Sequence, residues 1–333
     1  MPPIRNHSNR PITGILAIVS GLFLFSLQDV VIKHFSGDYS VLQIVVVRGL
    51  VAILIVAVVV ACLLGTAGFF VRNPRLILSK GLLAFFSYLS YYMAVASMPL
   101  ADVVAITFTA PIFVTVLSAL LLGEAVGIRR WLAVLIGFAG VMLVIGPGGE
   151  IANIAVAFAG LAALTYALNS IMARYIGPED KPWTVTFYFT LAHLLGGVAV
   201  SLAVAVFGSQ LEADHPSLAF LLRPWTIDDS AGLMLMAALG INAALGFYFL
   251  NKAYLSAPAS TVAPFEYTYI VWAVLFGYLL WSEVPSANTV LGIMLLISGN
   301  LYILHRQLLN ARRRRQPESA AANPYPVKVL VDS

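Results

Sequence analysis

Charge is what this chain has least of: 10% of its 333 residues are Asp, Glu, Lys or Arg, against 60% hydrophobic. A water-soluble domain carries about 25% charged residues, because a folded surface needs them to stay in solution. Lipid is therefore the solvent for most of this chain, and a mean hydropathy of +0.92 agrees. Cysteine is nearly absent. Cys62 stands alone in an apolar run, so an intramolecular disulfide is excluded and the redox compartment is left open. No CxxC, HExxH or clustered His/Cys spacing occurs, so no metal site is expected. No GxxxxGK[ST] loop occurs, which excludes direct drive by ATP. His7, His34, His193, His215 and His305 are scattered, and there is no DxxxD-like acidic pair. That argues against a membrane enzyme acting on lipid or isoprenoid substrates. No cofactor and no nucleic-acid partner are expected.

What is plentiful is the long apolar run. A hydrocarbon core about 30 Å thick takes roughly 20 residues of helix. Runs between turn signals give ten predicted spans, near 12–34, 41–64, 76–97, 101–122, 130–147, 151–174, 184–207, 231–253, 259–281 and 288–308. Asn73-Pro74, Met98-Pro99, the Gly146–Gly149 turn, Gly177-Pro178, Ala257-Pro258 and Val284-Pro285 interrupt helical hydrogen bonding between them. The stretch 208–230 is the one longer polar connection. The run that follows Arg5 and Arg10 lacks a small-x-small cleavage site and reads as a retained first helix rather than a signal peptide.

Orientation follows from Lys and Arg. With the amino terminus and alternate loops on one side, that side holds 16 of the 19 basic residues. Lys33 and Arg48 fall within spans, and Arg223 alone lies in an opposite loop. The expectation is an all-α integral membrane protein of the inner membrane, multi-pass, with both termini cytoplasmic. Residues 1–11 form a cytoplasmic amino terminus. Residues 309–333 form a basic, disordered tail in which Arg312–Arg315 reads as a topology anchor.

The chain also resembles itself at an offset of 159 residues: Pro99 matches Pro258, Thr109 matches Thr268, Glu124 matches Glu283 and Gly140 matches Gly299. Five spans separate the matched elements, so the second copy is inverted. Inverted repeats build many secondary transporters, with the substrate site near the midplane between the halves. These features resemble the EamA family of the drug/metabolite transporter superfamily. The resemblance rests on the Lys33 region, Arg48, the segment from Pro99-Leu100-Ala101-Asp102 to Leu122-Gly123-Glu124, Gly137–Gly140, and more loosely Ala257-Pro258 to Trp281-Ser282-Glu283. It implies ten helices as two inverted five-helix repeats, 12–147 and 151–308. It also implies alternating access for amino acids or related metabolites, with export favoured over uptake of a larger metabolite such as S-adenosylmethionine or riboflavin. The expected partners are a small-molecule substrate and the bilayer, with proton coupling, in a monomer or weak homodimer.

Ionisable groups within spans cost about 2.5–3.5 kcal/mol to insert, so each is a functional suspect. Asp29 and Lys33 are spaced i,i+4, which suits an intrahelical ion pair or a gate. Arg48 can hold a substrate carboxylate through two parallel hydrogen bonds, or lock its helix to an acidic neighbour or helix-end carbonyls. Glu266 follows Pro264 in the ninth span; it suits proton coupling or a substrate ammonium, or an ion pair with Lys33, Arg48 or Lys252. Pro111 and Pro264 are expected hinges. Tyr88, Tyr91 and Tyr92 share one helix face. With Phe108, Tyr166, Asn169, Asn242 and Tyr267 they offer stacking surfaces and polar tips to a cavity, unless they face the lipid headgroups instead. Gly137, Gly140, Gly292 and Gly299 permit close helix contact.

Overall fold

A computed structural model describes residues 11–71, 73–122, 127–145, 154–172, 182–208, 214–257, 262–299 and 301–302, and all regular structure among them is helical. In chain order the α-helices are α1 (Pro11–Phe35), α2 (Val41–Leu64), α3 (Pro74–Val95), α4 (Leu100–Thr107), α5 (Ala110–Leu122), α6 (Ile128–Ile145) and α7 (Ile154–Met172). They continue as α8 (Pro182–Phe207), α9 (Pro216–Leu222), α10 (Ser230–Ser256) and α11 (Thr268–Trp281), then α12 (Ala287–Gly299). A 3-10 turn, Ala263–Tyr267, leads directly into α11. Glu124, Pro258, the short linker between spans five and six, and the basic tail lie outside the described residues.

Among the described residues, seven helical stretches are long and apolar enough to cross a membrane, and Val134–Ile145 and Ala287–Gly299 are shorter apolar helices. Leu54, Val58, Leu120, Leu135, Leu202 and Leu279 are each more than half exposed, as lipid-facing positions are. Hydroxyls inside these helices satisfy themselves on their own backbone: Thr115 donates to the Pro111 carbonyl, Thr190 to Thr186 and Ser201 to Gly197. With no water at hand, that local bond is the cheapest partner.

The end at which α1 hands over to α2 is called distal, and the opposite end proximal. Asp29 meets Tyr91 and Lys33 meets Met98, so α1 runs parallel to α3. Ser87 bonds the Ala162 carbonyl and Asn169 the Lys80 carbonyl, so α7 runs antiparallel to α3. The first helices of the two halves thus point opposite ways.

Span four is not one helix, and its counterpart in the second half breaks at the same place. Pro111 has no N–H to return to the Thr107 carbonyl, and the chain turns at Phe108-Thr109 between α4 and α5. The Thr109 hydroxyl bonds the Ile106 carbonyl at 2.7 Å. At the same 159-residue spacing, the Thr268 hydroxyl bonds the Phe265 carbonyl at 2.7 Å, where the Pro264 turn passes into α11. The rings of the matched residues Phe108 and Tyr267 pack against each other at a tilt of 31°, centroids 5.3 Å apart. The two breaks therefore meet face to face.

Helices α6 and α12 cross at Gly140 and Gly292. A β-carbon on Gly140 would stand 2.8 Å from the Gly292 carbonyl oxygen, and one on Gly292 2.4 Å from that of Gly140. Only hydrogen fits at that crossing.

The stretch 208–230 differs from its reading as a plain polar connection. It carries α9, capped by His215, whose ring accepts the Ser217 N–H at 3.2 Å. Phe220 and Ser217 on α9 are fully buried. The sequence hides this because α9 is only seven residues long and its neighbours are charged.

Candidate functional site

A cavity of about 470 Å³ lies between the halves. Its deep end is formed by Gln28 and Asp29 of α1, Tyr88 and Tyr91 of α3, and Tyr269 of α11. Its walls include Phe25, Phe108, Pro111, Phe189, Phe247 and Glu266, and it extends proximally to Lys80, Asn169 and Ser170. Many of these residues are repeat partners. Phe25 and Tyr166, Gln28 and Asn169, and Asp29 and Ser170 are each separated by 141 residues; Tyr88 and Phe247, Tyr91 and Leu250, Thr107 and Glu266, and Ala110 and Tyr269 by 159. The spacing changes because the second half has the longer connection, bearing α9, where the first has the short turn around Gly65.

Asp29 is 4% exposed and is held by two hydroxyls on one oxygen. Tyr91 donates to Asp29 Oδ2 at 2.9 Å, and the Tyr269 hydroxyl donates to the same atom. Because Tyr269 belongs to the second half, this carboxylate ties the halves together. Behind it, Arg48 donates to the Tyr92 hydroxyl at 2.8 Å and lies over the Tyr92 ring, 5.4 Å from its centroid. Gln28 donates to the same hydroxyl at 2.6 Å. Arg48 and Tyr92 therefore brace the deep wall without lining it.

The distal end is sealed by a second set of contacts between the halves. Lys33 donates to Glu283 Oε1 at 2.5 Å and to the Met98 carbonyl at 3.0 Å, and lies 5.1 Å from the Trp281 ring centre. Glu283 Oε2 accepts the Leu100 N–H at 3.2 Å, at the start of α4. Asp102 accepts from Thr289 at 3.0 Å. Further out, Arg223 donates to the carbonyls of Ser36 at 2.7 Å and Tyr39 at 3.3 Å, and Gln43 pairs with the Thr226 backbone in both directions. The Tyr39 hydroxyl donates to Asp229. That bond holds the Asp229 carboxyl below the usual carboxylate range and pushes the Tyr39 phenol above its own.

Of the substrate candidates read from the sequence, Tyr88, Tyr91, Phe108, Tyr166, Asn169 and Glu266 line the cavity, and Arg48, Tyr92, Asn242 and Tyr267 do not. Asn242 instead bonds the Leu24 carbonyl at 2.8 Å, clamping α10 to α1. Of the gating candidates, Asp29 and Pro111 line it, while Lys33 and Pro264 stand away from it. The intrahelical Asp29–Lys33 pair does not form. The long lysine stem reaches the distal interface, where a carboxylate and a carbonyl await, and the short aspartate stays with its tyrosines. Sequence reasoning missed Tyr269, Gln28, Phe247 and the partner of Lys33. Tyr269 and Phe247 had a usable signal: each is the repeat partner of a residue beside or among those already suspected.

A multi-pass helical membrane protein enclosing an aromatic-walled cavity between two related halves is what fold and site define. The chain belongs to the EamA-like transporter family, whose model matches residues 12–146 and 153–304. It is 27% identical over 288 residues, 86% of this chain and 93% of the other, to the pseudopaline exporter CntI of Pseudomonas aeruginosa. It is 28% identical to a riboflavin transporter of Rhizobium johnstonii (76% of this chain, 77% of the relative). It is 25% identical to an S-adenosylmethionine uptake transporter of Rickettsia conorii (74% and 77%). A solved crystal structure matches 91% of this chain and 98% of its own at a TM-score of 0.57 and 16% identity, a likeness of fold. These relatives are transporters, and the chain is a small-molecule transporter rather than an enzyme.

Proposed function

We propose that the chain is a ten-helix carrier of the bacterial inner membrane that exports amino acids or related small metabolites by alternating access. In this reading two inverted five-helix repeats, 12–147 and 151–308, move about the cavity, and both termini are cytoplasmic. The observation that carries it is the wall of repeat partners around one cavity, closed distally by Lys33–Glu283. By the excess of Lys and Arg on the proximal side, the cavity faces the cytoplasm, as a state ready to load an exported solute does. The prolines at the two facing breaks supply hinges. Asp29 and Glu266 are the carboxylates through which a proton gradient couples to movement.

For the distal side to open, Lys33 must leave Glu283, and Glu283 must leave the start of α4. The proximal opening then closes, so that one gate is shut while the other is open. A second reading, uptake of a larger metabolite, is favoured by the riboflavin and S-adenosylmethionine relatives and by the aromatic walls, which suit flat rings.

The test is flux in proteoliposomes of defined orientation, screening labelled amino acids, riboflavin and S-adenosylmethionine. Outward movement of amino acids, reduced in Arg48→Ala and Glu266→Gln at normal expression, supports the export reading. Inward movement of riboflavin or S-adenosylmethionine alone supports the second. No movement of any of them overturns both.

A further inference from the structure

Among the described residues, the deep end of the cavity is lined by a carboxyl group and by no cationic side chain. Tyr91 and Tyr269 direct their hydroxyl protons to Asp29 Oδ2, so what each phenol has left for a ligand is oxygen lone pairs. No described residue donates to Asp29 Oδ1. The Arg48 guanidinium bonds the Tyr92 hydroxyl and does not line the cavity. The lysine that does line it, Lys80, lies eleven residues before Tyr91 on α3, roughly 16 Å away at a helical rise of 1.5 Å per residue. Its ammonium sits over the Phe189 ring, 4.8 Å from the centroid, in the proximal part. A carboxylate placed deep would therefore meet another carboxylate, with only neutral groups such as the Tyr88 hydroxyl to receive it. An ammonium or onium group would meet the Asp29 carboxyl group and tyrosine oxygens, with the aromatic side chains of Phe25, Tyr88, Phe108 and Phe247 also among the lining.

We propose that the substrate carries a positively charged amine or onium group and that Asp29, flanked by Tyr91 and Tyr269, is the group that binds it. This deepens the transporter reading and rests on the cavity being the substrate site. Any anionic part of the same molecule lies toward Lys80.

The test uses the full chain in nanodiscs and one aromatic body in three charge states: tyramine (cation), tyrosine (zwitterion) and 3-(4-hydroxyphenyl)propionate (anion). A second pair, S-adenosylmethionine and S-adenosylhomocysteine, differs by one methylsulfonium charge. Binding is read by competition and by thermal stabilisation. Expected is at least tenfold tighter binding of tyramine than of the propionate, and of S-adenosylmethionine than of S-adenosylhomocysteine. Asp29→Asn removes the preference, and Asp29→Glu keeps most of it. A cooperative thermal transition in Asp29→Asn without ligand shows that the variant is folded. Equal binding across the series, preference for the anion, binding of none of the probes, or an unchanged preference in Asp29→Asn overturns the assignment. Those results leave the carrier reading standing whenever the liposome screen still shows flux, so the two can fail separately.

Discussion

The two ends of this bundle are built on different principles. The distal end is held by side chains that cross between the halves: Lys33 to Glu283, Asp102 to Thr289, Arg223 to the α1–α2 turn and Gln43 of α2 to Thr226. The described proximal region instead holds the long part of the cavity, with Asn169 bound to the Lys80 carbonyl and Lys80 over a ring. Polar locks at one end and open volume at the other are what a two-state carrier needs in either resting state. A lock made of charge can be released and remade, whereas an apolar seam of the same area holds both states alike.

The comparison can be broken most severely at the Gly140–Gly292 crossing rather than at the lock. Gly292→Leu forces side-chain atoms into the Gly140 backbone. A cost of about 1–3 kcal/mol or more is expected from overpacking, read as a fall in thermal unfolding temperature in detergent. Gly292→Ala intrudes by a single carbon and is expected to lower that temperature less than Gly292→Leu does. Wild-type unfolding temperatures in both variants would show that the crossing has room to spread.

The lock itself comes next. Lys33→Ala or Glu283→Gln leaves one charge without its partner, and the distal end is expected to open at least tenfold more often. Ala101→Cys, at a buried position of α4 beside the lock, in a Cys62→Ser background then reports that opening as faster reaction with a membrane-impermeant maleimide. The exchange Lys33→Glu with Glu283→Lys restores slow labelling. Unchanged labelling in both single variants would mean that the distal seal is carried by packing alone.

A smaller effect is expected at the facing breaks. Thr109→Val and Thr268→Val each remove one hydroxyl-to-carbonyl bond, for about 0.5–1.5 kcal/mol apiece. If the breaks are equivalent, the two variants lower thermal stability alike; a large loss from one alone would set the halves apart.

The smallest effect is one of pH at the distal rim. Tyr39 holds the Asp229 carboxyl below its ordinary range, so this contact contributes fully above the unfolded value of about 4 and fades as pH falls through the lower folded value. Wild type should therefore lose stability more steeply than Tyr39→Phe in acid below about pH 4, while neither changes its stability across the neutral range through this contact.

Much of the site was legible because its signals are local. Tyr88 and Tyr91 share a helix face by spacing alone, Asp29 and Glu266 stand out as charges in apolar runs, and Pro111 and Pro264 mark the breaks. What escaped was every partner distant in sequence. Tyr269 differs in no local way from Tyr267, yet one reaches Asp29 and the other packs against Phe108. Arg48 and Tyr92 look like cavity residues by type and are instead the bracing behind its wall.

Composition, apolar run length and the positions of proline and charge, all written along the chain, determined by themselves that this protein lives in lipid, is helical and repeats its own pattern. Backbone groups in hydrocarbon have few ways to be satisfied, so those signals suffice. Only the tertiary structure decided that Lys33 takes Glu283 rather than Asp29, and that Asp29 belongs to tyrosines from both halves. A buried charge pairs with whatever group the packing brings within reach, and packing depends on the whole chain at once.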